Sequence, residues 1–291
     1  MLKTRKNNPS NQPLSRTYIH SFIRRHPALK ASKPRQVDIN RAFASCQSTL
    51  RPFFILLRTL FTTYNYPHSL VFNTDETSLH LKDDNNTTVI HPIESSPGFA
   101  LTPTRMHNAT LVVSIAADGH SFPSVVLWPS AALPSEIRAL ISPTIKVWAG
   151  NAGWIIESIF SRFAIEILLP HIKERREIIQ KTDSRCLLLI DGHSSCACPD
   201  VWEHFAAERI DVLTLVPHSS HITQPLDRGV FASFKRELNS RYEIPPSSSI
   251  KPRRTALVPA ISDALKSSLV STIVINAFEN AGILPCTDEA L

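Results

Sequence analysis

Glycine is scarce in this sequence, and its scarcity argues against a large class of functions. Only seven of the 291 residues are glycine. Folds that bind ATP or a dinucleotide place a glycine-rich turn between a strand and a helix, where the backbone approaches the phosphates closely. Neither GxGxxG nor GxxxxGK followed by Ser or Thr occurs in the chain. We therefore expect no nucleotide cofactor.

Long apolar runs and paired cysteines are also missing. No apolar stretch reaches the roughly 20 residues that cross a bilayer, and no apolar segment of a secretory signal follows the charged N-terminus. Because the five cysteines are odd in number and scattered, they argue against a disulfide scaffold and indicate a reducing, intracellular compartment. We expect no membrane partner.

Acidic residues are absent from the first 36 positions, which hold nine lysines and arginines. The remaining chain has 22 basic and 25 acidic residues, so the net charge of +6 comes from the N-terminal arm. A basic arm on a near-neutral body suits contact with the phosphate backbone of DNA, although a solvated tail has the same composition. The candidate DNA-binding residues are Arg16, Arg24, Arg25, Lys30, Lys33 and Arg35.

Hydrophobic periodicity gives a helical beginning, a group of strands and then an alternation of helices and strands. Residues 1–16 predict a disordered basic tail and 17–66 a helical segment. The predicted strands are 70–73, 87–91, 109–116, 122–128, 186–190 and 211–216, with a hairpin turn at Asp118-Gly119. The predicted later helices are 154–169, 172–180, 199–208 and 227–242, with two more at the C-terminus. Residues 130–153 predict a loop with short structured pieces.

This order of elements predicts the fold class. Hairpins followed by two strand–helix units are typical of an α/β protein with a mixed sheet flanked by helices. The order is compatible with a ribonuclease H-like core that follows a short helical N-terminal segment.

Three aspartates lie in contexts that suit a metal site. Asp75 in VFNTDET and Asp191 in CLLLIDGHSS end or follow apolar runs, and Asp227 in HSSHITQPLDRGVF follows a Gln-Pro turn. Carboxylates that converge at one edge of a sheet repel one another unless a cation lies between them. Mg²⁺ and Mn²⁺ favour such oxygen ligands and keep positions open for water and phosphate. The pattern therefore indicates phosphoryl transfer on a nucleic acid.

Each acid also has an ordinary structural interpretation. Asp75 and Asp191 are typical of turns, and Asp227 suits the N-terminus of the helix predicted to begin there. Glu76 is predicted to point away from Asp75 and to do no more than support a ligand. The other candidates for hydrogen bonds to ligands, water or phosphate are His193, His218, His221 and Gln224. A polar network that supports the loops is the alternative for the histidines.

Taken together, these segments resemble the DDE superfamily endonucleases of the pogo, Tigger and jerky group, transposases related to mariner elements. VFNTDETSLHL is similar to the segment with the first family acid, and CLLLIDGHSS to that with the second. LTLVPHSSHITQPLDRGVFASFKREL resembles the third segment in nearly every position, and INAFENAGILP is similar to the family's C-terminal helix ending. As in this group, 35 residues separate Asp191 from Asp227.

The resemblance implies a ribonuclease H-like catalytic domain at 67–245 and C-terminal helices at 246–291. It implies that Asp75, Asp191 and Asp227 are catalytic and bind two Mg²⁺ or Mn²⁺ ions, one activating water or a DNA 3′-hydroxyl and the other stabilising the leaving oxygen. The implied activity is metal-dependent phosphodiester cleavage and strand transfer on DNA in the nucleus. A homodimer is a further expectation.

One part of the family pattern is incomplete. Relatives usually carry one or two helix-turn-helix modules before the catalytic domain. FIRRHPALKASKPRQVDINRAF is similar only to the last turn of such a module and its connector, so we interpret 17–66 as a remnant. The alternative function is a domesticated, non-catalytic DNA-binding protein derived from a transposase. The presence of all three acids argues against long decay of the site.

Overall fold

A six-stranded mixed sheet forms the centre of the protein. The computed structural model describes residues 16–26, 39–79, 109–139, 142, 144–150, 155–192, 198–242 and 250–286. The strands are β1 (Val71–Leu79), β2 (Ala109–Ala116), β3 (Ser124–Trp128), β4 (Ile145–Ala149), β5 (Cys186–Ile190) and β6 (Ile210–Thr214). They lie in the order β4-β3-β2-β1-β5-β6. The pairs β1–β2 and β2–β3 are antiparallel, whereas β3–β4, β1–β5 and β5–β6 are parallel.

The chain divides into two compact units, residues 1–39 and residues 40–291. The helices described are α1 (Arg16–Arg25), α2 (Ile39–Ala44), α3 (Gln47–Tyr64), α4 (Ser135–Arg138), α5 (Glu157–Phe163), α6 (Leu169–Ile178), α7 (Pro199–Ala207), α8 (Ser220–Thr223), α9 (Val230–Arg241), α10 (Ile250–Ser268) and α11 (Ser271–Asn280). In the first unit, α1 carries the stacked rings of Tyr18 and Phe22, with centroids 6.4 Å apart, and ends in the exposed Arg24 and Arg25.

Helices cover both faces of the sheet. Successive side chains of a strand point to opposite faces. In β5, Leu187 and Leu189 pack against α3, α9, α10 and α11, whereas Cys186, Leu188 and Ile190 pack against α5, α6 and α7. Because β2, β3 and β5 are buried on both faces, they have near-continuous apolar runs. The predicted mixed α/β sheet flanked by helices is confirmed.

The strands that agree best with the sequence prediction are those buried on both faces. The predicted ranges 109–116 and 186–190 coincide with β2 and β5. The range 70–73 was too short, since β1 continues to Leu79 by pairing with β2, Asp75 opposite Val113. The segment 130–153, predicted as a loop with short structured pieces, contains the short helix α4 and the strand β4, whose five residues are too few for a clear alternation. The predicted strand at 87–91 and the tail up to residue 15 lie outside the described residues.

The helix predictions need two corrections. The helix predicted to begin at Asp227 begins at Val230, because Leu226–Arg228 form a 3₁₀ turn and Gly229 follows. The two helices predicted over 154–180 are continuous, since α5 passes through a π-helical turn, Ala164–Leu168, into α6. Pro170 follows the π-helical turn as the second residue of α6 and has no backbone N–H to donate within this continuous helix. Beyond 67–245, helices α3, α10 and α11 pack on the same core as the sheet.

The predicted hairpin turn between β2 and β3 is confirmed and requires glycine. Gly119 has φ +94°, a conformation that side-chain-bearing residues rarely adopt. A Cβ atom at this position would lie 2.7 Å from Cβ of Ser271, the first residue of α11. The turn therefore packs closely against the beginning of a C-terminal helix.

The two C-terminal helices are apolar but belong to the core. No single helix among the described residues is long and apolar enough to cross a membrane. Ala256–Ser268 and Ser271–Asn280 pass that test only as a pair, and they bend by 71° at their junction. Ile261, Val274 and Phe278 are buried against the sheet.

A charged network connects β6 to the residues before β1 and β5. Tyr66 Oη donates a hydrogen bond of 2.6 Å to Oδ2 of Asp211, and Arg185 donates to both oxygens of this carboxylate. The Arg185 guanidinium also lies 4.7 Å from the ring centroid of Tyr64. Burial pushes the pKa of Asp211 upward, but the hydrogen bonds from Arg185 and Tyr66 outweigh it, so the pKa is lowered.

We expect Asp211→Asn to reduce the free energy of unfolding at pH 7 by roughly 1 kcal/mol, allowing for solvent around the half-exposed Arg185. An acid with a lowered folded-state pKa stabilises the protein above its unfolded pKa of about 3.9. The difference from wild type should therefore shrink as the pH falls through the folded-state pKa. Urea denaturation from pH 7 to pH 3 measures it.

Asp183→Asn is the matched control, since the Asp183 side chain is 94% exposed and lies 3.5 Å from Arg209. An equal loss of stability in both variants at pH 7 would contradict a special role for the Asp211 network.

Candidate metal-binding site at the sheet edge

The register of the central parallel strands brings two of the predicted acids together. β1 and β5 pair from Val71 opposite Leu187 to Thr74 opposite Ile190. The next step of this register places Asp75 beside Asp191, the first residue after β5. In-register residues of parallel neighbours share a face of the sheet. Both acids therefore lie at the edge of the sheet where the carboxyl end of β5 stops, on the face covered by α3 and α9.

The third acid lies in the 3₁₀ turn Leu226–Arg228, and this turn is held from two sides. On the sheet side, the backbone N–H of Leu226 donates to Oδ1 of Asn73 in β1, at 3.1 Å. On the other side, Nε of Arg228 donates to the backbone oxygen of Asn280 at the end of α11, at 3.0 Å. Asp227 is thereby fixed between β1 and the C-terminal helix.

A cavity of about 280 Å³ contains all three aspartates in its lining. Ser220 Oγ donates a hydrogen bond of 2.9 Å to Oδ2 of Asp191 from the wall of this cavity. The lining is formed by Arg41, Thr74, Asp75, Glu76, Val112, Ile155, Phe160, Ile190, Asp191, Ser220 and Asp227. The cavity therefore combines acids, one arginine and an apolar wall.

Burial and neighbouring carboxylates raise the pKa of two of the acids, Asp75 and Asp227. Burial, then the charges of Asp227 and Asp191, raise the pKa of Asp75 well above its ordinary value. Asp227 is exposed as a residue, but local desolvation of its carboxyl and the charge of Asp191 raise its pKa, while Lys235 and Arg41 oppose the rise. Raised pKa values of this kind are expected for nearby, partly buried carboxylates that have no cation between them.

The donor set fits a hard divalent cation. Carboxylate oxygens are the ligands that Mg²⁺ and Mn²⁺ favour, and a cation would relieve the repulsion that raises the two pKa values. Within the described residues, no three Asp, Glu, His or Cys side chains lie close enough together to hold one ion as they stand. The chemistry of the donor set, three carboxylates that line one cavity, nevertheless fits such an ion.

The structure contradicts the simplest alternatives for two of the acids. Asp75 lies inside β1 and pairs with Val113, so it is not a turn residue. The N-cap of α9 is Gly229, so Asp227 does not cap that helix. Asp191 lies just after β5, in a position compatible with either interpretation. Glu76 follows Asp75 in β1, so its side chain points to the opposite face of the strand, as expected, and it also belongs to the lining of the cavity.

Two of the predicted supporting residues lie next to the site. Gln224 is fully buried, and its Oε1 accepts a 2.6 Å hydrogen bond from Nδ2 of Asn73. His221 Nε2 lies 2.9 Å from Oγ of Ser45, and burial together with the charge of Arg41 lowers the pKa of His221. His218 is exposed, has φ +63° and does not line the cavity. His193 lies outside the described residues.

The predicted DNA-binding residues are described in part. Arg24 and Arg25 are exposed in the last turn of α1, and Arg25 Nε donates to the backbone oxygen of Ser21 at 3.2 Å. Arg16 begins the same helix. Lys30, Lys33 and Arg35 lie outside the described residues.

Sequence reasoning missed three residues of the site. Asn73 carried a usable signal, since an amide inside a strand buried on both faces needs hydrogen-bond partners. Ser220 carried only the weak signal of its position between His218 and His221. Arg41 carried none, because its place at the cavity depends on how α2 packs.

The comparisons with known proteins agree with this architecture. The family model of the DDE superfamily endonuclease matches residues 107–271, which is more than half of the chain. The matched range contains Asp191 and Asp227, and Asp75 precedes it.

A curated protein and several solved structures are also similar. The MFS-type transporter clz9 of Cochliobolus lunatus is 28% identical over 188 residues, which is 64% of this chain and 20% of that protein. This chain thus spans about a fifth of the length of that relative.

The similar solved structures share the fold at low sequence identity. The Mos1 mariner paired end complex with Mn has a TM-score of 0.55 and 13% identity, over 92% of this chain and 68% of that one. The paired end complex with Mg has a TM-score of 0.52 and 12% identity, over 94% and 71%. A pre-cleavage Mos1 transpososome has a TM-score of 0.51 and 13% identity, over 88% and 71%. The fold is ribonuclease H-like.

We expect Asp75→Asn to increase the free energy of unfolding at pH 7 in the presence of EDTA. The folded-state pKa of Asp75 lies above its unfolded value, so ionisation of this carboxyl opposes folding as the pH rises. The increase should vanish below about pH 3.9, where the carboxyl is protonated in both states. Urea denaturation at both pH values measures the difference.

Glu203→Gln on the exposed side of α7 is the control and should leave stability nearly unchanged. A less stable Asp75→Asn protein at pH 7 would show that the acids do not repel one another in the folded state.

Proposed function

The chain belongs to the DDE superfamily of endonucleases, and we propose that it cleaves DNA phosphodiesters with divalent metal ions held by Asp75, Asp191 and Asp227. The observation that carries this proposal is the parallel register of β1 and β5, which brings Asp75 beside Asp191 at an edge that Asp227 also lines. The raised pKa values of Asp75 and Asp227 support it, because an uncompensated group of acids suits a cation.

The surrounding residues have separate parts in this proposal. Two Mg²⁺ or Mn²⁺ ions, when bound, supply activation of the attacking oxygen and stabilisation of the leaving oxygen. Ser220 orients the Asp191 carboxylate through their hydrogen bond. Val112 and Phe160 form an apolar wall that limits water in the cavity. Arg41 supplies a positive charge at the cavity for a phosphate of the substrate.

The solved structures of similar fold support DNA as the substrate class. The Mos1 structures are described as paired end complexes, a Strand Transfer Complex and a pre-cleavage transpososome. We propose that this chain likewise binds DNA, carries out strand transfer and acts in the nucleus, where its substrate lies. A paired arrangement of two copies is part of the same proposal.

One observation favours the second candidate function, a domesticated DNA-binding protein without catalysis. The three aspartates line one cavity, yet among the described residues no three potential ligands are close enough to hold an ion as they stand. A protein that retains the fold and the positive charges for DNA, but does not bind metal, would have this geometry.

We expect wild-type protein to bind Mn²⁺ in a calorimetric titration and Asp227→Ala to bind it at least about 10-fold more weakly, since one ligand is lost. Metal binding tests the site even where the DNA sequence recognised is unknown. Asp191→Asn should show a similar loss and no nicking of DNA.

Asp200→Ala, an exposed acid in the first turn of α7, is the control and should bind as wild type does. Absence of binding by a folded wild-type protein would contradict the endonuclease and support the non-catalytic candidate.

We also expect Arg41→Ala to weaken DNA binding and to reduce the slope of log affinity against log salt by about 1, the effect of one lost phosphate contact. Fluorescence anisotropy with a short duplex at several salt concentrations measures this slope.

Lys146→Ala is the matched control. Lys146 is exposed on β4, at the opposite edge of the sheet from the β5–β6 pair. Equal slopes for Arg41→Ala and wild type would show that Arg41 does not contact the phosphate backbone.

A further inference from the structure

Asn73 is a fully buried polar residue in the middle of the sheet, two positions before Asp75 in β1. Its carboxamide makes three hydrogen bonds. Nδ2 donates to the backbone oxygen of Leu189 at 3.1 Å and to Oε1 of Gln224 at 2.6 Å, and Oδ1 accepts from the backbone N–H of Leu226 at 3.1 Å. One side chain thus connects β1, β5 and the segment before Asp227.

The bond to Leu226 determines where the third acid lies. Leu226 immediately precedes Asp227, and the Asp227 N–H donates to the backbone oxygen of Gln224 at 3.1 Å within the same turn. Asn73 contacts both ends of this turn, through the Gln224 side chain and the Leu226 backbone. On the sheet side, the distance of Asp227 from β1 therefore depends on the Asn73 amide.

The bond to Gln224 determines which way its side-chain amide faces. Because Oε1 accepts from Asn73, the Nε2 group of Gln224 lies on the other side of the amide. Nε2 is buried without a hydrogen-bond partner among the described residues. Asn73 thus fixes the orientation of a buried amide in the segment that leads to Asp227.

We propose that Asn73 is a positioning residue that sets the separation of Asp75 and Asp227 and fixes the orientation of the buried Gln224 amide. The inference rests on the proposed function, since the separation matters for a metal ion shared by these acids. Asn73 itself does not line the cavity, so it acts through Gln224 and the Leu226 backbone.

Two variants separate its two contributions. Asn73→Val removes all three hydrogen bonds and keeps a side chain that suits a strand. Gln224→Met removes only the contact to Gln224 and leaves Asn73 bound to Leu189 and Leu226. We expect the Mn²⁺ affinity in calorimetry to fall at least about 10-fold in Asn73→Val, and less in Gln224→Met.

Leu57→Ala controls for lost stability alone. Leu57 is buried on α3 and does not line the cavity, so its truncation should destabilise the protein without changing Mn²⁺ affinity. If the folded Asn73→Val protein bound Mn²⁺ with wild-type affinity, the inference about Asn73 would be wrong, and the proposed metal site would still stand.

Hydrogen exchange in EDTA tests the positioning without any metal. In Asn73→Val, peptides that cover 220–230 should lose protection, whereas β2 should exchange as it does in Leu57→Ala. Unchanged protection of 220–230 would overturn the inference. If wild-type protein binds no Mn²⁺, the proposed function fails, and the exchange result alone decides whether Asn73 holds the turn.

Discussion

The parallel pairing of β1 with β5 is the constraint on which the rest of the structure depends. It joins strands β1 to β4 to the parallel pair β5–β6, and its register follows from the apolar residues that face each helical layer. A slip of one residue would move every side chain of a strand to the opposite face. Burial of Leu187, Leu189 and Ile190 therefore fixes the relation of Asp75 to Asp191 before any ligand is present.

The acidic edge is costly to the folded protein and useful to the proposed reaction. Carboxylates that share a partly dry cavity destabilise the ionised state. The hydrogen bond that Ser220 donates to Asp191 offsets part of this cost. Stability comes from elsewhere, above all from the two apolar layers on the sheet. The fold thus tolerates a repulsive edge because a large core supports it.

Sequence patterns predicted the buried centre of the fold better than its margins. Strands β2 and β5 were predicted at their observed bounds, because burial on both faces produces unbroken apolar runs. β4 was not predicted as a strand, because an edge strand of five residues has too little alternation to detect. The end of β1 was not predicted as strand, because NTDET is polar and becomes a strand only by pairing with β2.

The site was predictable to the same degree. Local motifs identified three aspartates that the structure brings to one cavity, and their role as metal ligands stays a prediction. The part of Asn73 and Arg41 was not predictable, because it depends on contacts between segments distant in the chain. Asn73 meets Gln224 across 151 positions, and no local pattern encodes such a contact.

The bond between Arg228 and the end of α11 has a consequence for inheritance. Asn280 lies 52 positions after Arg228, yet its backbone oxygen helps to hold the turn that carries Asp227. A gene copy that lost only its last codons, including those of α11, would keep all three aspartates and still lose the support of one. In such a copy, the presence of all three aspartate codons would not show that the site still works.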